Sequence, residues 1–193
     1  ADYTATTGLQ GRQIYDQIKQ TSSLIHSLYF INFRTETILD AYNRSPNKTH
    51  YDQTLLTFLQ DHTPSIAFYC GLPRWISRGP KFASQRVFSL IIHTSKLGAI
   101  VVNIDCDAYE ELIQLESSDY INILEACGDG DVLISSDPEL WGTTVNDDDT
   151  YKKITERVSK TGYFLEGSGL LKNRVVYLHN SGMNLTYYSV FNQ

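Results

Sequence analysis

Arg74 and Trp75 are the adjacent pair with most to offer a ligand. A guanidinium fork matches a carboxylate or phosphate, and an indole face stacks on a planar or cationic group. The same pair also fits a structural role, an edge-strand arginine beside a tryptophan that plugs a core. In the second half Tyr151, Tyr163, Arg174 and Tyr177 admit two similar readings: the lining of a pocket between helix and sheet, or ordinary amphipathic packing. His93 with Cys70 or Cys106 has the residue types of a nucleophile and its base. A third, orienting residue is not indicated by any spacing, so a small hydrolase lacks its triad.

Metal chemistry has two candidate stretches. Asp147, Asp148 and Asp149 gather oxygen ligands suited to a hard cation, but acidic residues before an apolar-periodic run also cap a helix. Gly128–Asp131 resembles the start of a calcium loop and lacks the glutamate at its twelfth position, so it reads as a hairpin turn. Cys70, Cys106 and Cys127 form no Cys-x-x-Cys pair and read as small buried hydrophobes. Neither a metal nor a cofactor is implied, and the chain is read as a binding module, not an enzyme.

Composition narrows the partners. Hydrophobic residues make up 41% of the 193 and aromatics 12%, enough for packed cores. A net charge of −6 with no basic stripe argues against nucleic-acid binding. No apolar run approaches the ~20 residues that span a bilayer, and no secretory leader opens the chain. A first residue other than Met suggests a segment of a longer protein, whose membrane spans would flank it. Triplets at Asn43, Asn47 and Asn184 match the glycosylation pattern, which would matter only in a eukaryotic secreted chain.

The elements that must position these residues follow from periodicity. Gly98–Ile104 is a β-branched and aliphatic run suited to a strand covered on both faces or at a sheet centre. From Asp107 the period becomes helical, with Ala108, Leu112 and Leu115 on one side, Asp107 as N-cap and Glu110 completing a capping box. Before this seam come a sparse helix over Gly8–Gln20, strands over Ile25–Phe33 and Thr37–Tyr42, and a helix over Tyr51–His62. A strand over Ser65–Leu72, an edge passage over Pro73–Pro80, and strands over Gln85–Ser95 and Leu97–Asp105 complete the first half. After it, Ile121–Ala126 and Val132–Ser135 pair, and Ser136–Gly142 is a capped turn with Pro138 opening it. Asp149–Lys160 is an amphipathic helix with Tyr151, Ile154 and Val158 inward. Tyr163–Glu166, Leu171–His179 and Leu185–Phe191 are three further strands. Two strands, a helix and three strands thus occur twice, the order required by two five-stranded antiparallel PAS-like sheets with helices on one face.

The strand pair Val87–Ile92 and Gly98–Asp105, the turns at Gly128–Asp131 and Leu140–Gly142, Lys160–Phe164 and the closing Leu185–Phe191 resemble the extracytoplasmic double Cache sensor of bacterial transmembrane receptors. The similarity is greatest to the group found in sensor histidine kinases and AraC-type regulators of Gram-positive bacteria, and covers about Leu24–Phe191. It implies an α+β fold of two tandem Cache modules. Residues 1–23 would be a signalling helix, 24–106 the membrane-distal module, 107–117 a linking helix and 118–193 the membrane-proximal module. Amino-acid-sensing members carry an Arg-x-Trp-Tyr element. Here Arg74 and Trp75 are adjacent and no Tyr follows, so that motif does not transfer.

The function expected from this resemblance is ligand sensing outside the cytoplasm, with the output domain, a kinase or a DNA-binding regulator, elsewhere in the parent protein. A chemoreceptor or cyclic-dinucleotide enzyme using the same sensor is the alternative, and a structural interaction domain a third option. The resemblance makes the distal module the usual binder of a small-molecule ligand, and the strand positions facing its helix and loop give the candidate wall of Tyr42, Tyr69 and Asn103, with Arg74 and Trp75 closing it from the edge passage. That set suits a small anionic or polar solute. A homodimer through the first helix is expected in the parent receptor, and a monomer or weak dimer for the detached segment.

Overall fold

A computed structural model describes residues 13–18, 20, 22–35, 37–40, 52–61, 68–77, 83–95, 98–113, 120–126, 130–157, 159–167, 172–183 and 185–192. Tyr42, the Asn43 and Asn47 triplets, Asn184, Leu115, Cys127, Gly128 and Val158 lie outside these residues. The chain divides into two compact units, Ala1–Tyr69 with Arg74–Tyr109, and Cys70–Pro73 with Glu110–Gln193.

The first unit opens with helix α1 at residues 13–18. Strands β1 (Ile25–Asn32) and β2 (Thr37–Asp40) form a hairpin, followed by helix α2 (Gln53–Asp61). Strands β3 (Phe68–Ile76, of which Cys70–Pro73 are grouped with the second unit), β4 (Gln85–Ser95) and β5 (Gly98–Asp105) complete the sheet, in the order β2-β1-β5-β4-β3. Its pairs with described registers, β1–β2, β1–β5 and β4–β5, are all antiparallel. Alternation along the strands divides the side chains between two faces. Ser27, Tyr29 and Ile31 of β1 share a face with Val101 and Asn103 of β5 and with Ser89 and Ile91 of β4. Leu28, Phe30, Ile100 and Val102 turn to the opposite face.

Helical segments cover both faces, not one as the sequence pattern suggested. Tyr15 and Ile18 of α1 pack on Leu28, Phe30, Ile100 and Val102, while Leu55 and Leu59 of α2 are buried. Two covered faces are the physical reason β5 is almost wholly aliphatic. α1 is also less sparse than its leucines and isoleucines suggest, because Tyr15 is buried and its hydroxyl donates to the His26 carbonyl.

Strand β3 runs on through Pro73 to Ile76, so the first part of the expected loop or edge passage is an edge strand. It sits at the sheet edge, the place that tolerates a residue with no N–H. Leu72 within it has φ +59°, a left-handed conformation costly for a residue with a Cβ. Helix α3 (Cys106–Leu112) begins one residue earlier than expected, capped not by Asp107 but by Asp105, whose Oδ1 accepts from the N–H groups of Asp107 and Ala108. The Asp107 carboxylate pairs instead with Arg86 at 2.5 Å. Leu112, expected inward, is exposed.

The second unit repeats the first sheet's order. Strands β6 (Tyr120–Ala126), β7 (Val132–Ser135), β8 (Thr161–Glu166), β9 (Asn173–Asn180) and β10 (Leu185–Asn192) lie as β7-β6-β10-β9-β8, antiparallel throughout. Ser136–Gly142 is a turn with no helix in it. Helix α4 spans Asp149–Thr155 and stops well short of Lys160, because the chain turns there to enter β8. Tyr151 and Ile154 of α4 join Val132, Val145, Val175, Tyr177 and Tyr188 in one core.

Candidate functional site

A row of three polar residues crosses the centre of the first sheet. Ser27 of β1 is opposite Asn103 of β5, which is opposite Ser89 of β4. All three interrupt apolar strands and all are buried on the face that carries Tyr29 and Val101. Asn103 Nδ2 donates to Ser27 Oγ at 2.8 Å, and Ser89 Oγ donates to Asn103 Oδ1 at 2.6 Å. The row is therefore linked from end to end.

Arg74 reaches this row from β3. Its Nη1 donates to Ser89 Oγ at 2.8 Å and its Nη2 to Asn103 Oδ1 at 2.9 Å. The rest of the fork holds Asp52, with Nε 2.9 Å from Oδ1 and Nη2 2.7 Å from Oδ2. Asp52 precedes α2 and also caps it, its Oδ1 accepting from the Leu55 N–H at 3.2 Å. The Arg74 and Asp52 side chains retain only 4% and 2% of their exposure, so this is a buried pair with its charges matched and hydrogen-bonded.

Leu72 explains how β3 brings its residues to this face. Tyr69 packs tilted against Phe58 of α2, ring centroids 4.7 Å apart, and Arg74 meets Asp52 at the start of the same helix. Residues five apart in a regular strand face opposite ways. The left-handed turn at Leu72 corrects the phase so that both face α2. Trp75, next in line, points away and is 61% exposed, so it does not plug the core.

Of the expected ligand wall, then, Arg74 and Asn103 are in direct contact, Tyr69 of β3 packs against Phe58 of α2, Trp75 is directed elsewhere and Tyr42 is outside the described residues. Asp52, Ser89 and Ser27 were not anticipated. Their available signals were a polar residue centred in each apolar strand, and an aspartate three residues before Leu55. A cleft of about 410 Å³ lies beyond Tyr29, lined by Ile31, Phe33, Ile38, Leu56 and Leu59 together with Asn32 and Gln60. Four residues separate Ile31 from Ser27, or ~13 Å along β1.

The other candidates resolve into structural roles. Asp148 caps α4 by accepting from the Tyr151 N–H at 2.8 Å, and Asp147 lies 3.8 Å from Lys152. Among the described residues no three His, Cys, Asp or Glu side chains are grouped to hold a metal. Burial pushes the Cys70 thiol up to about 12, which removes the thiolate a nucleophile needs. His93 stacks near Phe33 at 6.0 Å and pairs across to Ala99, five residues from the level of Ile104 and still farther from Cys106. Tyr151 and Tyr177 are buried, whereas Tyr163 is exposed on the other face with the Arg174 guanidinium 4.8 Å above its ring. These four do not form one pocket.

No protein-family model matches the chain, and no curated protein does. Solved structures do match in fold. The extracellular domain of rpHK1S-Z16, described as a histidine kinase, superposes with a TM-score of 0.60 at 15% identity, covering 94% of this chain and 75% of that one. The ligand-binding domain of the Pseudomonas fluorescens chemoreceptor CtaA with L-isoleucine gives 0.56 at 12% identity, covering 89% and 70%. That of the Pseudomonas aeruginosa chemoreceptor PctC with GABA gives 0.54 at 13% identity, covering 88% and 73%. Among the described residues no helix is long and apolar enough to cross a membrane. The fold of this chain is that of extracellular ligand-binding sensor domains of histidine kinases and chemoreceptors.

Proposed function

We propose that this chain is the extracytoplasmic sensing domain of a bacterial membrane receptor, a double Cache domain serving a histidine kinase or an AraC-type regulator. Residues 24–106 and 118–193 are its two modules, and the first binds a small zwitterion such as an amino acid. The carrying observation is the Arg74–Asp52 pair set against the Ser27–Asn103–Ser89 row. A buried charge pair resists a purely anionic ligand, because capturing Arg74 would strand the Asp52 carboxylate in a dry site. A zwitterion exchanges partners without that cost: its carboxylate takes the Arg74 fork and its ammonium takes Asp52. Asn103 and Ser89 supply neutral donors and acceptors for orientation. The amino acids and GABA bound by the CtaA and PctC domains support the same class.

Binding in this reading shifts the balance between two arrangements of the first unit, because the ligand must pull Arg74 from Asp52, and Asp52 caps α2. The test is melting temperature against amino acids, GABA, simple carboxylates and simple amines at millimolar concentration. Zwitterions are expected to stabilise the chain and single-charge analogues to fail. Ser89→Ala should weaken the response ~10-fold, the value of one hydrogen bond to a charged group. If carboxylates alone stabilise the chain, or if the response ignores Ser89→Ala, this site is wrong.

A further inference from the structure

Sheet edges expose unpaired backbone groups, and three of the four edges here carry a protection. β2 has four residues. β3 contains Pro73 and the left-handed Leu72. β7 is covered by the following turn, with the Val132 N–H bonded to the Thr143 carbonyl and its own carbonyl to the Gly142 N–H. β8 has none of these. The bond from the His179 N–H to the Lys160 carbonyl fixes the phase of the β8–β9 ladder. Even-numbered residues of β8 therefore bond β9, and Tyr163 and Leu165 turn their N–H and C=O groups to the open edge. Among the described residues nothing meets them. The side chains of the same two residues are exposed, at 63% and 52%, and Val176 and Leu178 of β9 extend the apolar face beside them.

We infer that β8 is a pairing edge for a second copy of this chain. Two β8 strands run antiparallel about a twofold axis at Tyr163 and join the five-stranded sheets of two copies into one of ten. Two β8 strands paired antiparallel are related by a twofold axis, so the contact is isologous and, with the open edge of each copy used, closes at two copies. In this register Tyr163 exchanges both backbone hydrogen bonds with the partner's Tyr163. Leu165 does so with the partner's Thr161. The charges agree as well: Lys160 of each copy falls opposite Glu166 of the other, at both ends of the ribbon. On the exposed side of the joined sheet the two Tyr163 side chains stand side by side, each with its own Arg174 guanidinium 4.8 Å from the ring, and Leu165 stands beside the partner's Thr161. This inference is independent of the ligand site in the first unit.

A contact of this size belongs with weak interfaces, so sedimentation equilibrium of the full chain is expected to show a dimer forming over roughly 10–500 µM. Amide exchange at Tyr163 and Leu165 should slow as concentration rises, while that at Val175 and Tyr177, already in the ladder, should not change. Leu165→Pro removes an edge donor that the fold does not use, and Tyr163→Lys places like charges on the axis; each should weaken association at least tenfold. If Leu165→Pro does not fold, Tyr163→Lys decides. Tyr163→Cys should give a disulfide-linked dimer under mild oxidation and Leu178→Cys should not. A chain monomeric across the range, or a dimer unaffected by Tyr163→Lys, would overturn the inference.

Discussion

Replacing Arg74 with alanine strands Asp52, and the size of the loss follows from its surroundings. The Asp52 carboxylate is among the most buried polar groups in the first unit, and its partner supplies hydrogen bonds to both oxygens. Removing one member of such a pair costs about 3–5 kcal/mol, because the remaining charge has neither water nor counter-ion. Ser89 and Asn103 also lose a donor each, which keeps the expected value at the upper end of that range. By contrast, Arg74→Met combined with Asp52→Asn removes both charges together and retains a capping side chain for α2. More than half of the stability should return, a coupling of ~2 kcal/mol or more.

Native-state amide exchange is the suitable assay, since amides of β4 and β5 report the first unit and those of β9 and β10 serve as an internal reference. Arg74→Ala should accelerate exchange at Ile91 and Val101 by two orders of magnitude or more, about what 3 kcal/mol amounts to, and leave Val175 unaffected. A loss below about 1 kcal/mol would place the pair with exposed ion pairs and refute the argument. Equal loss in both units would refute it as well.

Two further outcomes concern the second unit. Burial acts to raise the Glu166 carboxyl, but the hydrogen bonds from Lys153 at 2.5 Å and from Thr150 together outweigh it and hold the group below its ordinary 4.5. A lowered folded value means that the stabilisation is complete above 4.5 and is lost as pH falls through the folded value. Acid unfolding monitored by circular dichroism should therefore be less steep below pH 4.5 in Glu166→Gln, and an unchanged slope would contradict the assignment. Gly162 faces Tyr177 so closely that an added Cβ would lie 2.9 Å from the hydroxyl and 3.2 Å from the ring. Gly162→Ala should cost about 1–3 kcal/mol in urea unfolding, partly recovered by Tyr177→Phe, and no loss would show that the ring moves aside freely.

Periodicity was a good guide where strands are long and buried, and a poorer one where a single residue changes the phase. β4 carries a long run of aliphatic and β-branched residues and declares itself over Gln85–Ser95 without ambiguity. β3 does not, because Pro73 argues for a loop unless the strand is known to be at an edge, and edge position is a property of the whole sheet. The site was half legible for a related reason. Arg74 and Asn103 stand out as a cation and an amide in apolar settings, but their contact depends on the alignment of β3, β4 and β5 and on the left-handed Leu72. No local pattern predicts that a leucine will adopt φ +59°. Asp52 escaped notice because one carboxylate serves as a helix cap and as a counter-ion, and only the first role has a sequence signature.

The two units place different chemistry beneath similar sheets, and this difference locates the expected response to a ligand. In the second, the buried core between α4 and the sheet is formed by Val132, Val145, Tyr151, Ile154, Val175, Tyr177 and Tyr188, and the buried polar groups among the described residues are the hydroxyls of Ser135, Thr186 and Ser189. In the first, the corresponding face carries a buried arginine, an aspartate, an amide and two hydroxyls. Buried polar groups are expensive to retain unless they specify a structure or bind something. A fully hydrogen-bonded pair such as Arg74–Asp52 does the first on its own, and a zwitterion that divides it does the second. The two roles separate in an exchange experiment. If the site binds a zwitterion, a saturating ligand identified by thermal shift should slow exchange in β1, β4 and β5 while β8, β9 and β10 stay as they were. It should also quicken exchange in the first turn of α2, because Asp52 must give up part of its hold on the Leu55 N–H to meet the ammonium. Protection confined to the second unit, or protection of the first with α2 tightened, would mean that the pair is structural and that the ligand sits elsewhere.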